Sequence, residues 1–508
     1  MEPKQKSLYN KYRSDIMNLL ILVLVATGLG VYLVATTVVI SKDGVVYIEL
    51  AKDFSTEPLR FVTEDSFGYP FLIFSAHRLT TLFNNDSSVL PWIHAAQSIT
   101  LICRVLACIP LYFIGKLLVG GGKSFWALLI LLILPYPAEF GSDVLRDWPH
   151  ILFLASGILF LLRGAERGKW WMFGGVGLVA GLGQTIRPEC AQLVVYGTLW
   201  ILMRLCAPKH PMNRFASLCA LSVLFAGFAV PTIPYLISRK DILPEELRPY
   251  LRESKLWESD KEQEFTIERL ENTYTASISP GKVAKGIGRL AGEMTENLMY
   301  YFVPALALGM YARVRKKNAK REVETFFVPT FVFLNVLMIL LLYMHWSYIS
   351  RRHCLPLLAI LIFYVPLGLE FMANGLSDRF SKHRSKAGEN SRWWFFVLLI
   401  IGVCICLPKL LKPVGADKWG FRSAAKWLKE NTNREDMIAV PDPRISFYAE
   451  RKGVQYTSEV PERVQYLVWI EESEDEEIPF AKIGRREFST DVEKRKKSKK
   501  KILIYKMI

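Results

Sequence analysis

Asp43 is the carboxylate in this sequence best placed to do chemistry. It lies three residues beyond a hydrophobic run, Met17 to Ile40, that is long enough to cross a bilayer. It also opens an amphipathic stretch, Val45 to Phe54. A carboxylate held at a lipid–water boundary is where an integral-membrane enzyme could keep a base. Capping the following helix through its backbone N–H groups is the other role open to an Asp at this point. Asp147, beside Arg146, is either a plain surface ion pair or a second carboxylate facing the same site. Arg104 sits well inside another hydrophobic run, where a charge is a functional candidate by default and structural pairing with a neighbouring helix is equally open. The eight cysteines fall in or beside such runs, and His150, His345 and His353 lack metal-ligand spacing. Neither a disulfide framework nor a zinc signature is present.

The elements that must position these residues are mostly membrane helices. Of 508 residues, 51% are hydrophobic. Mostly apolar segments near 17–40, 90–117, 124–140, 148–163, 171–186, 190–206, 215–237, 296–313, 323–345, 354–374 and 393–411 predict about eleven spans. The net charge of +16 would suit nucleic acid, but its distribution argues against that reading. Arg/Lys clusters at 4–13, 163–169, 204–214, 313–321 and 379–392 fall in alternate loops, and short basic loops stay cytoplasmic. The N-terminus is therefore expected inside and the C-terminal region outside. Three outward segments follow from this topology: 41–89, 238–295 and 346–353. Within the first, 45–54 and 69–83 suit helices lying in the interface, as does 281–292 in the second. The tail, 412–508, reads as a small α/β domain after a membrane domain of 1–411. It has a helix at 419–431, strands at 436–440, 464–470 and 502–505, and a short helix at 445–450.

Several motifs occur in a recognisable order. Asp43 is followed by Tyr47 and Ala51 at helical spacing, Arg104 lies in the second span, and Leu145-Arg146-Asp147 follows the third. Then come GLGQTIRPE at 181–189 and YISRRHCLP at 348–356. In the tail, FRSAAKWLKENT at 421–432 precedes DPRISFYAERK at 442–452. Over nearly its whole length the chain resembles the GT-C glycosyltransferases, in the branch of the protein O-mannosyltransferases and the bacterial aminoarabinose lipid A transferase.

That resemblance implies an inverting enzyme of the cell membrane, or of the inner membrane in a Gram-negative bacterium. It would move a sugar from a polyprenyl-phosphate carrier to a lipid, glycan or protein acceptor on the outer face. Asp43 takes the place of the family's first-loop catalytic acid; Asp147, read from the residues themselves, is the second catalytic candidate. Gly44 stands where the family often has another carboxylate, so no metal and no cofactor is assigned. A phosphate leaving group needs cations more than protonation. Arg351 and Arg352 are the expected clamps, with Arg187 and Arg78 as further candidates. Tyr47, Glu49, Arg104, Glu189 and His353 are expected in support. Two other functions stay open: a polytopic transporter or lipid flippase, and a non-catalytic GT-C relative.

Overall fold

The computed structural model describes residues 3–56, 67–82, 86, 88–206, 213–239, 280–315, 322–380, 387–456, 463–471, 483–493 and 500–507. The chain begins with a long helix, α1 (Pro3–Thr36), then two shorter ones, α2 (Lys42–Asp53) and α3 (Gly68–Thr81). The bundle continues through α4 (Leu90–Val119), α5 (Gly121–Ile133), α6 (Pro135–Phe140), α7 (Asp147–Arg167) and α8 (Trp171–Gln184). A 3-10 turn at Pro188–Ala191 leads into α9 (Gln192–Cys206) and α10 (Arg214–Arg239). Next are α11 (Pro280–Asn297), α12 (Phe302–Arg315) and α13 (Glu322–Trp346). The last bundle helices are α14 (Leu355–Leu361), α15 (Val365–Phe380) and α16 (Ala387–Leu410).

Seven of the described helical stretches are long and apolar enough to cross a membrane: 12–36, 90–119, 147–167, 214–234, 324–346, 355–380 and 391–410. The other four segments of the eleven-span expectation are also helical, but short. The 124–140 segment breaks at Leu134, whose ψ of 126° is extended because Pro135 follows it. α8 and α12 have 14 residues each, a rise of about 21 Å against a hydrocarbon core of about 30 Å. α11 covers the amphipathic stretch at 281–292, while the rest of the second outward segment, 240–279, lies outside the described residues.

Close helix crossings hold the bundle together. A Cβ on Gly177 of α8 would run into the Leu224 carbonyl of α10, and one on Gly368 of α15 into the Ala305 carbonyl of α12. Backbones that approach this closely replace the hydrophobic drive that lipid does not supply.

The tail forms α17 (Trp419–Asn431), α18 (Pro443–Ala449) and a five-stranded sheet. Its strands are β1 (Met437–Val440), β2 (Lys452–Gln455), β3 (Tyr466–Glu471), β4 (Ile483–Asp491) and β5 (Lys501–Met507). Their order is β2-β1-β3-β5-β4, with β1 parallel to β2 and β3 and β5 antiparallel to β3 and β4. The sequence pattern predicts α17, α18, β1, β3 and β5. It misses β2 and β4, which carry exposed polar residues and no continuous apolar run.

Arg104 is fully buried in α4, and its guanidinium donates to the Leu132 carbonyl at 2.9 Å and the Ala138 carbonyl at 3.4 Å. The Leu132 carbonyl lies where α5 gives way to α6, so the cation satisfies an acceptor at the break, while the Ala138 carbonyl, near the end of α6, also accepts from the Gly141 N–H and the Ser142 hydroxyl. It also lies 5.7 Å from the Trp148 ring. Of the two roles open to it in the sequence, it has the structural one. Arg104→Met is expected to destabilise the protein by about 1–3 kcal/mol, read as a lowered melting temperature in detergent. An unchanged melting temperature would contradict this role.

Candidate functional site

Four loops and helix ends meet at one end of the bundle. α2 starts there because Ser41 caps it: the Ser41 Oγ accepts from the Gly44 N–H at 3.1 Å. The capping role open to Asp43 therefore belongs to Ser41, and Asp43, in the first turn, keeps a part-exposed carboxylate. It meets Arg352, whose Nη1 lies 2.7 Å from Asp43 Oδ2. Gly44 packs on the segment after α6, where an added Cβ would sit 2.8 Å from Val144 Cβ and 3.0 Å from the Val144 carbonyl oxygen. No side chain fits at 44, which accounts physically for the missing second carboxylate.

A second set of charges adjoins the first. Asp147, at the start of α7, and Glu189, in the 3-10 turn, both bind Arg187, at 2.7 Å and 2.9 Å. Burial works against the charge on Arg187, but Glu189 and Asp147 outweigh it and raise its pKa. Burial alone would lift the Glu189 carboxyl, yet Arg187, His150 and Arg146 bring it down to about 2. Arg352 is likewise raised: its burial is overcome by Asp147 and Asp43.

Arg146, absent from the sequence-derived candidates, lies between the two sets. It is half-buried, its guanidinium carbon is 5.8 Å from the Tyr47 ring, and it donates to the Ile186 carbonyl at 3.4 Å. Among the described residues it has no ion-pair partner. Its neighbour Asp147 signalled the site in sequence, but only the fold shows that the two side chains part company. Tyr47 packs edge-on against Tyr69 at 5.2 Å, and burial raises its pKa.

Other candidates point elsewhere. Arg351 bonds Glu296 at 3.2 Å and stacks on Tyr136 at 4.1 Å, away from Asp43. Arg78 is exposed at the end of α3 over Phe74, and Glu49 is exposed and paired with Lys52. No cluster of three or more His, Cys, Asp or Glu suited to a metal occurs among the described residues.

Beside Arg187, Glu189 and His353 opens a cavity of about 510 Å³. Leu334, Leu337, Met338, Leu341 and Leu342 of α13 form its apolar wall. His150, also lining it, is buried with neither ring nitrogen bonded. The arrangement can bind an amphiphile, with charged groups at one end and an oily wall at the other.

His353 accepts from the Ser350 N–H at Nδ1, 3.2 Å away, which requires an unprotonated nitrogen. Burial, then the nearby Arg187, lowers its pKa to about 4, against about 6.5 for a free imidazole. Between those values the unfolded chain binds the extra proton and the folded one does not. The stability His353 contributes is therefore complete above about pH 6.5 and lost as pH falls toward 4. His353→Gln is expected to flatten the fall in melting temperature over that window; an unaltered slope would refute the assignment.

Residues 70–233 match the dolichyl-phosphate-mannose-protein mannosyltransferase family. No curated protein matches the chain in sequence. Among solved structures, ArnT from Cupriavidus metallidurans bound to undecaprenyl phosphate is 12% identical, with a TM-score of 0.54 over 96% of this chain and 97% of that one. The archaeal oligosaccharyltransferase AglB from Archaeoglobus fulgidus, in complex with an inhibitory peptide and a dolichol-phosphate, is 12% identical, with a TM-score of 0.52 over 91% of this chain and 69% of that one. The chain thus has the GT-C fold, and it resembles the mannosyltransferase branch of that superfamily.

Proposed function

We propose that the protein is an inverting membrane glycosyltransferase that moves a hexose or pentose from a polyprenyl-phosphate carrier to an acceptor hydroxyl or phosphate. The observation that carries this reading is the Asp43–Arg352 pair beside the Asp147–Arg187–Glu189 cluster, at the mouth of an apolar cavity. The family matched by residues 70–233, and the carriers held by ArnT and AglB, support the choice of donor. The acceptor would be a lipid, a glycan or a protein. The charge clusters in alternate loops favour a cytoplasmic N-terminus and a site on the outer face of the cell membrane.

In this mechanism the acceptor hydroxyl attacks the anomeric carbon from the side opposite the phosphate. Its proton passes to the Asp43 carboxylate, and the bond from the anomeric carbon to the phosphate oxygen breaks. Polyprenyl phosphate leaves with the electron pair, so it gains charge as the transition state forms. Arg352 holds Asp43 in line. Three carboxylates, Asp43, Asp147 and Glu189, face three guanidinium groups, Arg146, Arg187 and Arg352. Of these cations Arg146 alone is uncommitted to a carboxylate among the described residues, which makes it the first contact for the phosphate.

Two measurements test the reading. With polyprenyl-phosphate sugars, Asp43→Asn is expected to cut release of polyprenyl phosphate at least about 100-fold while the protein stays folded; full release would refute the base. Arg146→Gln is expected to weaken undecaprenyl phosphate binding about tenfold and leave undecaprenol binding unchanged. Equal affinity for both lipids in wild type and variant would remove Arg146 from the phosphate site.

A further inference from the structure

The turn that joins α1 to α2 has no regular structure, so its backbone groups need partners from elsewhere. They come from three distant parts of the chain. The Val38 N–H donates to the Val414 carbonyl at 2.9 Å, just after α16. The Ser41 N–H donates to Asp143 Oδ1 at 3.0 Å, and Ser41 Oγ to the Val144 carbonyl at 3.0 Å. Between them, Ile40 is held wholly by α18 of the tail. Its N–H donates to the Tyr448 hydroxyl at 3.1 Å, and its carbonyl accepts from Arg444 Nη1 at 3.5 Å.

These two side chains are themselves fixed. Asp442 grips the Arg444 guanidinium at 2.8 Å and 2.7 Å and also caps α18 through the Arg444 N–H. Arg422 of α17 lies 4.2 Å from the Tyr448 ring. Apolar packing continues the connection: Ile40, Val45, Ile48 and Ala51 share one core with Phe421, Ile445 and Val468. At the other end of α2, Lys52 sits 5.0 Å from the Phe447 ring. Thus α2 is tied to α18 at both ends, and Asp43 lies three residues past the tightest tie.

We propose that the tail domain is part of the catalytic apparatus, with Tyr448 and Arg444 as positioning residues that fix Ile40 and, through the first turn of α2, the Asp43 carboxylate. The proposal rests on the reading of Asp43 as the base. It gives the DPRISFYAERK motif a task in the reaction: Asp442 orients Arg444, and Tyr448 and Arg444 hold the turn. A shift of α18 when an acceptor touches the tail would be passed to Asp43 through these bonds. Displacing a reacting group by about 1 Å can cost about a hundredfold in rate, so a small loosening is enough to be seen.

The test uses the full-length protein. Tyr448→Phe keeps the ring and its packing and removes only the acceptor for the Ile40 N–H. It is expected to lower kcat for polyprenyl phosphate release about tenfold, with the donor KM within about twofold of wild type. Hydrogen exchange over residues 37–53 is expected to quicken while β1 and β3 keep their protection. Arg444→Lys, which keeps a cation but loses the forked reach, is expected to show the same split. A kcat within about twofold of wild type in both variants would overturn the proposal, as would unchanged exchange over 37–53. A fall in kcat that comes with lost protection across the whole sheet would overturn it too, since that is a folding defect. Wild-type protein that is folded but releases nothing from any donor would instead sink the reading of Asp43 on which the proposal stands.

Discussion

Two ion pairs between distant parts of the chain hold this site together: Asp43 with Arg352, and Asp147 with Arg187. Asp43 comes from α2 and its partner Arg352 from the loop before α14; Asp147 opens α7, while Arg187 and Glu189 flank the start of a 3-10 turn. In a setting that excludes water, an unpaired ion is costly, so these pairs constrain where four loops can lie. Each pair gives little net stability when part-exposed, as Asp43 is. Its value is geometric: it fixes the direction in which the carboxylate and the guanidinium face each other.

The same constraint governs uncharged groups. The break between α5 and α6 leaves the Leu132 carbonyl to Arg104, and the turn after α1 opens amides that Asp143, Val414 and Tyr448 close. Asp143 is buried, and burial raises its carboxyl pKa against the pull of the Ser41 and Val144 amides. The C-terminal sheet domain is joined to the first loop by a common apolar core, so the two act as one body around α2. On its bundle side α2 packs tightly as well: at Gly44 there is no space for even a methyl group against Val144.

Much of the architecture was legible in the residues. Long apolar runs gave the helices, and period-3.6 patterning gave α2, α3 and α17. What failed was instructive. The 124–140 run splits because Pro135 and Pro137 start a new helix, which composition alone does not reveal. β2 and β4 escaped because each carries polar residues on both faces, so no alternation marks them. Among site residues, Asp43, Tyr47, Asp147, Arg187, Glu189, Arg352 and His353 do gather at one end of the bundle, whereas Arg351, Arg78 and Glu49 turn away. Adjacent arginines look alike in sequence, but successive positions in a tight turn point in different directions, so Arg351 goes to Glu296 and Arg352 to Asp43.

The sequence by itself determined that this chain is a polytopic membrane protein with a carboxylate just past its first hydrophobic run, because hydrophobic length and local charge order are one-dimensional quantities. Only the tertiary structure decided which cation faces that carboxylate, that Ser41 rather than Asp43 caps α2, that Arg146 is left without a carboxylate partner among the described residues, and that Tyr448 reaches Ile40. Those outcomes depend on the direction of single side chains and on contacts between residues hundreds of positions apart. Such contacts are set by how helix ends satisfy their backbone groups where water is scarce, and no local pattern encodes them.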